Sequence, residues 1–143
     1  MVIVSIPISQ VEVIKTLEYE ATLMLATCAG NRVTIRPMSH INDGINIFFQ
    51  TSSDSLKMQE IRTNSNVALC IGTYEIEGTA IELGHPLDEK SVFFAKSYKE
   101  KHPGSFEKYS AYENETVVMV KPKLVWQWRY ENNQPVVAEL VLV

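Results

Sequence analysis

The sequence predicts a mainly β fold with flanking helices, in which an antiparallel sheet curls into a barrel. Two observations support this fold class. Strand-like runs outnumber helix-like runs, and tight-turn signals such as Gly30-Asn31 and Asn42-Asp43-Gly44 separate consecutive runs. Because 143 residues with no linker and no internal repeat are typical of one domain, we expect a single domain spanning residues 1–143.

The first predicted element is a short helix. Ser9 and Glu12 form a capping-box pattern, and apolar residues then recur at helical spacing. Three strands follow in the runs TLMLATC, VTIRPMSHI and INIFFQT, joined by the two glycine-containing turns. We expect the second and third of these strands to pair as a hairpin, which would bring Arg36 close to Gln50.

The second half of the chain continues in the same manner. The run SSDSLKMQEIRTN predicts a short helix, and the runs SNVALCIGTYE and IEGTAIELG predict a strand pair. A helix in DEKSVFFAKSYKEKH ends at Pro103-Gly104, and a shorter helix follows in SFEKYSAYE. The tail predicts two or three strands, with turns at Pro122 and at Asn132-Asn133.

Composition restricts the classes of partner. A net charge of −4 without any Lys/Arg-rich run argues against nucleic acid as a partner. No window approaches the ~18 apolar residues of a membrane-spanning helix, so we expect no membrane partner. Cys28 and Cys70 lie in apolar runs without a C-x-x-C motif, which indicates buried free thiols and a cytoplasmic protein. The histidines are scattered along the chain, so we expect no metal site.

Pro37 interrupts the second predicted strand and points to a candidate site. Proline has no N–H to donate within a sheet, so this strand would lie at an edge or carry a bulge. Small polar side chains follow the third strand at the start of a predicted helix, in the order Gln50, Thr51, Ser52, Ser53 and Ser55. Together with Arg36 and Lys57, they would form a site for a terminal phosphate. The alternative is that the hydroxyls only cap the helix and that both cations are solvated.

Read in order, several of these runs resemble one protein family. The strand ATLMLATCAGNRVTIRPMS, the corner FFQTSSDSLK, the segment NSNVAL and the motif EGTA resemble the pyridoxamine 5′-phosphate oxidase-like, FMN-binding split-barrel family. The resemblance covers about residues 15–130 and implies a six-stranded antiparallel split β-barrel. It also implies a homodimer with FMN at the subunit interface.

The resemblance assigns cofactor-binding roles by position. The residues that would hold the FMN phosphate are Arg36, Lys57, Thr51 and Ser55. Those that would line the isoalloxazine ring are Gln50 and the backbone of Pro37, Met38 and Ser39.

Trp126 and Trp128 alternate with neighbouring residues along one strand and so share a face. From the family pattern, Trp128 is the residue that would form a wall beside the partner subunit's flavin. The alternative is that both tryptophans are buried as ordinary interface or core.

The resemblance implies an FMN-dependent oxidoreductase that passes electrons from a nicotinamide donor, NAD(P)H, through FMN to a small acceptor. The tail NQPVVAELVLV lacks the arginine- and histidine-rich substrate signature of the vitamin B6 oxidases. The chain therefore looks more like general-stress proteins, flavin reductases and nitroimidazole-resistance proteins. No ordered Ser/His/Asp or Cys/His set is visible, so the catalytic residues stay unassigned. Two alternatives remain open: a non-catalytic flavin- or haem-binding module, with His40 as the candidate haem ligand, and a deazaflavin-dependent reductase.

Overall fold

The computed structural model describes residues 3–142, and Met1, Val2 and Val143 of the expected domain lie outside this range. The predicted mainly β fold with flanking helices is confirmed. The described residues form nine strands: β1 (Val4–Pro7), β2 (Thr22–Ala29), β3 (Arg32–Ser39), β4 (Ile41–Asp43), β5 (Asn46–Ser52), β6 (Asn66–Ile71), β7 (Tyr74–Gly84), β8 (Glu115–Glu131) and β9 (Gln134–Val141). They also form four α-helices: α1 (Gln10–Tyr19), α2 (Leu56–Thr63), α3 (Val92–Lys101), which follows a 3₁₀ turn at Glu89–Ser91, and α4 (Pro103–Tyr109).

Helices α1 and α2 begin where local side chains satisfy their free N–H groups. The predicted capping box at α1 is confirmed, since the backbone N–H of Ser9 donates to Glu12 Oε1 at 3.2 Å. Val13 and Leu17 of α1 are fully buried, and this face packs the helix onto the core. Ser55 caps α2 by accepting a hydrogen bond from the backbone N–H of Met58.

The sheet curls into a barrel that is not fully closed, because its two end strands do not pair with each other within residues 3–142. Its strands pair along the path β3–β2–β6–β7–β8–β5–β4, and β9 and then β1 extend from β8. Only His40 separates β3 from β4 in the chain, so the two ends of the path meet and the sheet curls into a barrel. The interior is filled by fully buried apolar side chains, among them Leu25, Ile47, Phe49 and Val120.

The predicted hairpin between the strands of Arg36 and Gln50 is wrong. Strand β3 pairs with β2, with Arg36 opposite Leu25, whereas β5 pairs with β4 and β8. The chain leaves β3 at His40, and only the three residues of β4 form the hairpin with β5 around Gly44. Any approach of Arg36 to the end of β5 therefore depends on its side chain and not on strand pairing.

The predicted turn at Pro122 is also wrong, because β8 continues through this residue to Glu131. Pro122 lies opposite Gly78, where the register of β7 against β8 shifts. A Cβ atom at Gly78 would lie 2.7 Å from the carbonyl oxygen of Lys121, so the glycine allows a close backbone approach. A β-bulge thus accommodates the proline without ending the strand.

The first and last strands of the described residues extend the sheet. The predicted turn at Asn132-Asn133 is confirmed, and both asparagines have positive φ. Strand β1 pairs in parallel with β9 and was not predicted. No helix within residues 3–142 is both long and apolar enough to cross a membrane.

Candidate functional site

The corner between β5 and α2 brings together three of the predicted residues. The ammonium of Lys57 donates to Thr51 Oγ1 at 2.9 Å, and Thr51 Oγ1 lies 3.4 Å from Ser55 Oγ. Because Ser55 is the N-cap of α2, the partial positive charge of the helix N-terminus adds to that of Lys57. Two hydroxyls and a cation thus converge on one small region at the end of the barrel.

Arg36 approaches α2 from β3, and its Nη2 lies 3.7 Å from Oε1 of Glu60, which follows Lys57 by one turn of that helix. Burial lowers the pKa of the Lys57 ammonium, the nearby Arg36 charge lowers it further, and the Glu115 carboxylate opposes both effects. The two cations therefore lie within each other's electrostatic field in a half-buried environment. Like charges held together in this way are typical of a site that receives an anion.

A cleft of about 530 Å³ opens beside this corner. One wall consists of the end of β3 and the end of β5. It contains five of the residues expected at the cofactor, namely Pro37, Met38, Ser39, Gln50 and Thr51. The strand of Pro37 stands at one end of the sheet order, as the proline predicted, so among residues 3–142 one of its edges has no partner strand.

Sequence reasoning missed the opposite wall. It is formed by α3, α4, the segment that leads into β8 and the first residue of β8, through Tyr98, Ser105, Tyr109, Tyr112, Asn114 and Glu115. The only available sequence signal was the density of tyrosines between residues 98 and 112, which carries no motif. Glu115 is 7% exposed, and burial raises the pKa of its carboxyl group, whereas His85 and Lys57 lower it.

Gln50 presents an unsatisfied amide in the cleft. The side chain is 6% exposed, and its Oε1 accepts a hydrogen bond from Ser110 Oγ at 2.9 Å. Its Nε2 is buried and has no partner among the described residues. Because a buried donor without a partner is costly, this atom is suited to a ligand acceptor such as a ring carbonyl or ring nitrogen.

Trp128 is not brought to the cleft of its own chain. It lies on the distal half of β8 opposite Val137 of β9 and is 46% exposed. Trp126, further back along β8, lines a different groove on the outer face of the barrel.

His40 is fully buried, which corrects its expected place on the polar face of β3. Its Nε2 lies 2.9 Å from the carbonyl oxygen of Leu17, and its Nδ1 is buried without a partner in residues 3–142. Neither ring nitrogen is offered to the cleft surface, so the structure gives no support to His40 as a haem ligand.

The outer face of the barrel carries a second groove, of about 500 Å³, across β2, β3, β6 and β7. Val33 and Ile35 on this face are 68% and 62% exposed. Cys28 and Cys70 line the same groove as free thiols. The prediction that both thiols are buried is wrong, since Cys70 is exposed and Cys28 is half-buried.

Comparison with known proteins identifies the family. Residues 11–129 match the family model described as pyridoxamine 5′-phosphate oxidase. The chain belongs to this family. The split-barrel fold expected for a pyridoxamine 5′-phosphate oxidase-like protein is confirmed, although the described residues contain nine strands rather than six. The comparison with curated protein sequences gives no match.

Solved structures share the fold of this family member. General Stress Protein 26 from Bacillus anthracis is 20% identical, with a TM-score of 0.64 over 92% of this chain and 97% of that chain. A FAD-binding protein from Mesorhizobium loti is 13% identical, with a TM-score of 0.67 over 82% and 92%. The haem storage protein HutZ from Vibrio cholerae is 14% identical, with a TM-score of 0.67 over 78% and 87%. At these identities the similarity concerns the fold, which serves flavin-binding and haem-binding proteins alike.

Proposed function

We propose that this member of the pyridoxamine 5′-phosphate oxidase family binds FMN and is an FMN-dependent oxidoreductase. Electrons would pass from NAD(P)H through FMN to a small acceptor. The observation that carries the proposal is the cluster of Lys57, Thr51 and Ser55, with the charge of Arg36 acting on Lys57, beside a cleft that is lined by Thr51 and Gln50. A phosphate monoester carries up to two negative charges and needs several hydrogen-bond donors, which this corner supplies.

The residues of the cleft fit the ring of FMN as well as its phosphate. The unpartnered Nε2 of Gln50 would donate to a polar atom of the isoalloxazine, and the Pro37–Ser39 edge would approach the ring through its backbone. Tyr98, Tyr109 and Tyr112 would shield the bound ring from water. When bound, FMN supplies the hydride- and electron-transfer chemistry, so the chain needs only to bind, orient and shield it.

We further propose a homodimer in which the FMN sites lie at the subunit interface. The support is the outer groove, where exposed Val33 and Ile35 sit among other apolar side chains. Apolar faces of this kind are unusual on a monomer and are typical of protein interfaces. In such a dimer, the exposed Trp128 of one protomer is available to approach the cleft of its partner.

Reconstitution tests the cofactor directly. The wild-type protein, incubated with FMN and desalted, should keep flavin absorbance, and this absorbance should bleach anaerobically on addition of NADH or NADPH. Arg36→Ala should weaken FMN binding about 10- to 100-fold, because a charged hydrogen-bonding partner of the phosphate is lost. The matched control is Arg62→Ala, which removes an exposed arginine of α2 that pairs with Glu82 outside the cleft.

Loss of all flavin on desalting of the wild-type protein would contradict FMN binding. Flavin that is retained but never bleached by either nicotinamide would leave a binding module without the proposed activity. Competition between FMN and a phosphate-bearing deazaflavin shows which of the two the protein binds more tightly. The comparison is needed because both would offer a phosphate to the Arg36–Lys57 corner.

A further inference from the structure

A buried carboxylate lies directly behind the proposed phosphate ligand Arg36. Glu60, on α2, is 4% exposed, and its Oε1 lies 3.7 Å from Arg36 Nη2. A carboxylate is rarely buried to this degree unless it is paired and hydrogen-bonded, because burial removes its hydration. The pairing here is mainly indirect, since 3.7 Å is too long for a hydrogen bond.

Two threonine hydroxyls connect the carboxylate to the guanidinium. Thr34 Oγ1 donates to Glu60 Oε1 at 2.5 Å, and Thr27 Oγ1 lies 3.3 Å from the same oxygen. Each hydroxyl also accepts a hydrogen bond from Arg36: Thr27 from Nη1 at 2.8 Å, and Thr34 from Nη2. A hydroxyl has one hydrogen, so a hydroxyl that directs it at the carboxylate turns its lone pairs towards the guanidinium. Glu60 thus determines how the threonines hold Arg36.

This network leaves one edge of the guanidinium available. Nη1 donates to the carbonyl oxygen of Leu25 at 3.2 Å and to Thr27, and Nη2 donates one N–H to Thr34. Of the five N–H groups of arginine, the Nε–H and the second Nη2–H have no hydrogen-bond acceptor among the described residues. The threonine oxygens that accept from Nη1 and Nη2 are only 3.2 Å apart, so we place them at the Nη1–Nη2 edge. The Nε–H and the remaining Nη2–H then form the other edge, through which an arginine can bind a phosphate bidentately.

We propose that Glu60 is a positioning residue which, through Thr27 and Thr34, holds Arg36 so that its free Nε–Nη2 edge receives the phosphate monoester of the ligand. This inference rests on the proposed function and adds a specificity determinant to it: preference for the phosphorylated flavin over riboflavin depends on Glu60. The negative charge of Glu60 opposes phosphate binding, so its contribution must come from orientation rather than from electrostatic attraction.

The test compares affinities for FMN and for riboflavin, which lacks the phosphate. Glu60→Leu should reduce the preference for FMN about tenfold or more, as expected when a charged hydrogen bond is misaligned. Its riboflavin affinity should stay within about threefold of wild type. Glu60→Gln keeps an amide oxygen that can accept from both hydroxyls, and it should retain or exceed the wild-type preference. Glu82→Leu, which disrupts the separate Arg62–Glu82 pair, is the matched control.

Thr34→Val interrupts the same network, and its FMN-to-riboflavin preference tests the inference if Glu60→Leu does not fold. It should lower the preference for FMN over riboflavin. If Glu60→Leu folds, the double variant should lose little more of this preference than either single variant, because both changes interrupt one network. An unchanged FMN-to-riboflavin preference in Glu60→Leu or in Thr34→Val would overturn the inference. So would a Glu60→Gln protein that loses the preference as completely as Glu60→Leu.

A flavin-free measurement separates this inference from the proposed function. In the unliganded protein, NMR relaxation of the Arg36 Nε–H group should show an ordered side chain in wild type and in Glu60→Gln. The same group should be mobile in Glu60→Leu and in Thr34→Val. If the wild-type protein binds no FMN, the proposed function fails, whereas this measurement still decides whether Glu60 positions Arg36. An Arg36 signal that is equally mobile in wild type would refute the positioning role.

Discussion

Replacing His40 by glutamine should flatten the pH dependence of stability between about pH 6.5 and pH 4. His40 is completely buried, and burial lowers its pKa from 6.5 to about 4, assisted by the charges of Lys101 and His102 and opposed by the hydrogen bond to Leu17. Between these two pH values, His40 is therefore protonated in the unfolded chain but neutral in the folded protein. The contribution of His40 to the free energy of unfolding is fully present above pH 6.5, falls as the pH falls towards 4, and does not change further below that.

The magnitude follows from the size of the shift. A change from 6.5 to about 4 corresponds to about 3 kcal/mol, at 1.36 kcal/mol per pKa unit. Glutamine can keep a donor near the Leu17 carbonyl oxygen but does not titrate. Between pH 6.5 and pH 4, the free energy of unfolding of His40→Gln should therefore fall by about 3 kcal/mol less than that of the wild type. Urea unfolding at a series of pH values measures the difference, in which the shared contribution of the carboxylates cancels. Equal slopes in the two proteins, or an NMR titration of His40 near pH 6.5, would refute the reasoning.

Three further predictions concern the barrel and its outer face. Gly78→Ala should destabilise the protein by about 1–3 kcal/mol in urea unfolding, because the new methyl group meets the backbone of Lys121, whereas Gly104→Ala, with open space around it, should not. Phe49→Ala should cost about 3–5 kcal/mol in the same assay, since its ring is fully buried in the barrel; a loss below about 1 kcal/mol would mean that the ring is not part of the core. Val33→Asp should shift the proposed dimer towards monomer in sedimentation experiments while leaving the fold intact, and a wild-type monomer at high concentration would exclude this interface.

The parts of the site that the sequence could predict are close together in the chain. Thr51, Ser55 and Lys57 meet because a strand ends and a helix begins within six residues, and local signals mark both events. Pro37 likewise marked an edge strand through its missing N–H alone.

The parts that could not be predicted depend on contacts between distant segments. The tyrosine wall lies about 50 residues beyond Gln50 in the chain and carries no periodic or motif signal that relates it to the cleft. His40 was placed on a polar strand face because alternation was extended one residue too far, whereas it is enclosed by α1 and by Lys101 of α3. The threonine–glutamate network behind Arg36 spans three elements, and no spacing rule brings Thr27, Thr34 and Glu60 together.

The length of β8 separates Trp128 from the cleft of its own chain. Glu115 lines the cleft at the beginning of this strand, and Trp128 lies 13 residues further along it. At about 3.3 Å per residue, that interval is roughly 40 Å of strand, which is longer than the radius of a domain of this size. Trp128 is not among the residues that line the cavity its own strand helps to build, and in the proposed dimer an encounter between this tryptophan and a bound flavin would involve the cavity of a neighbouring copy.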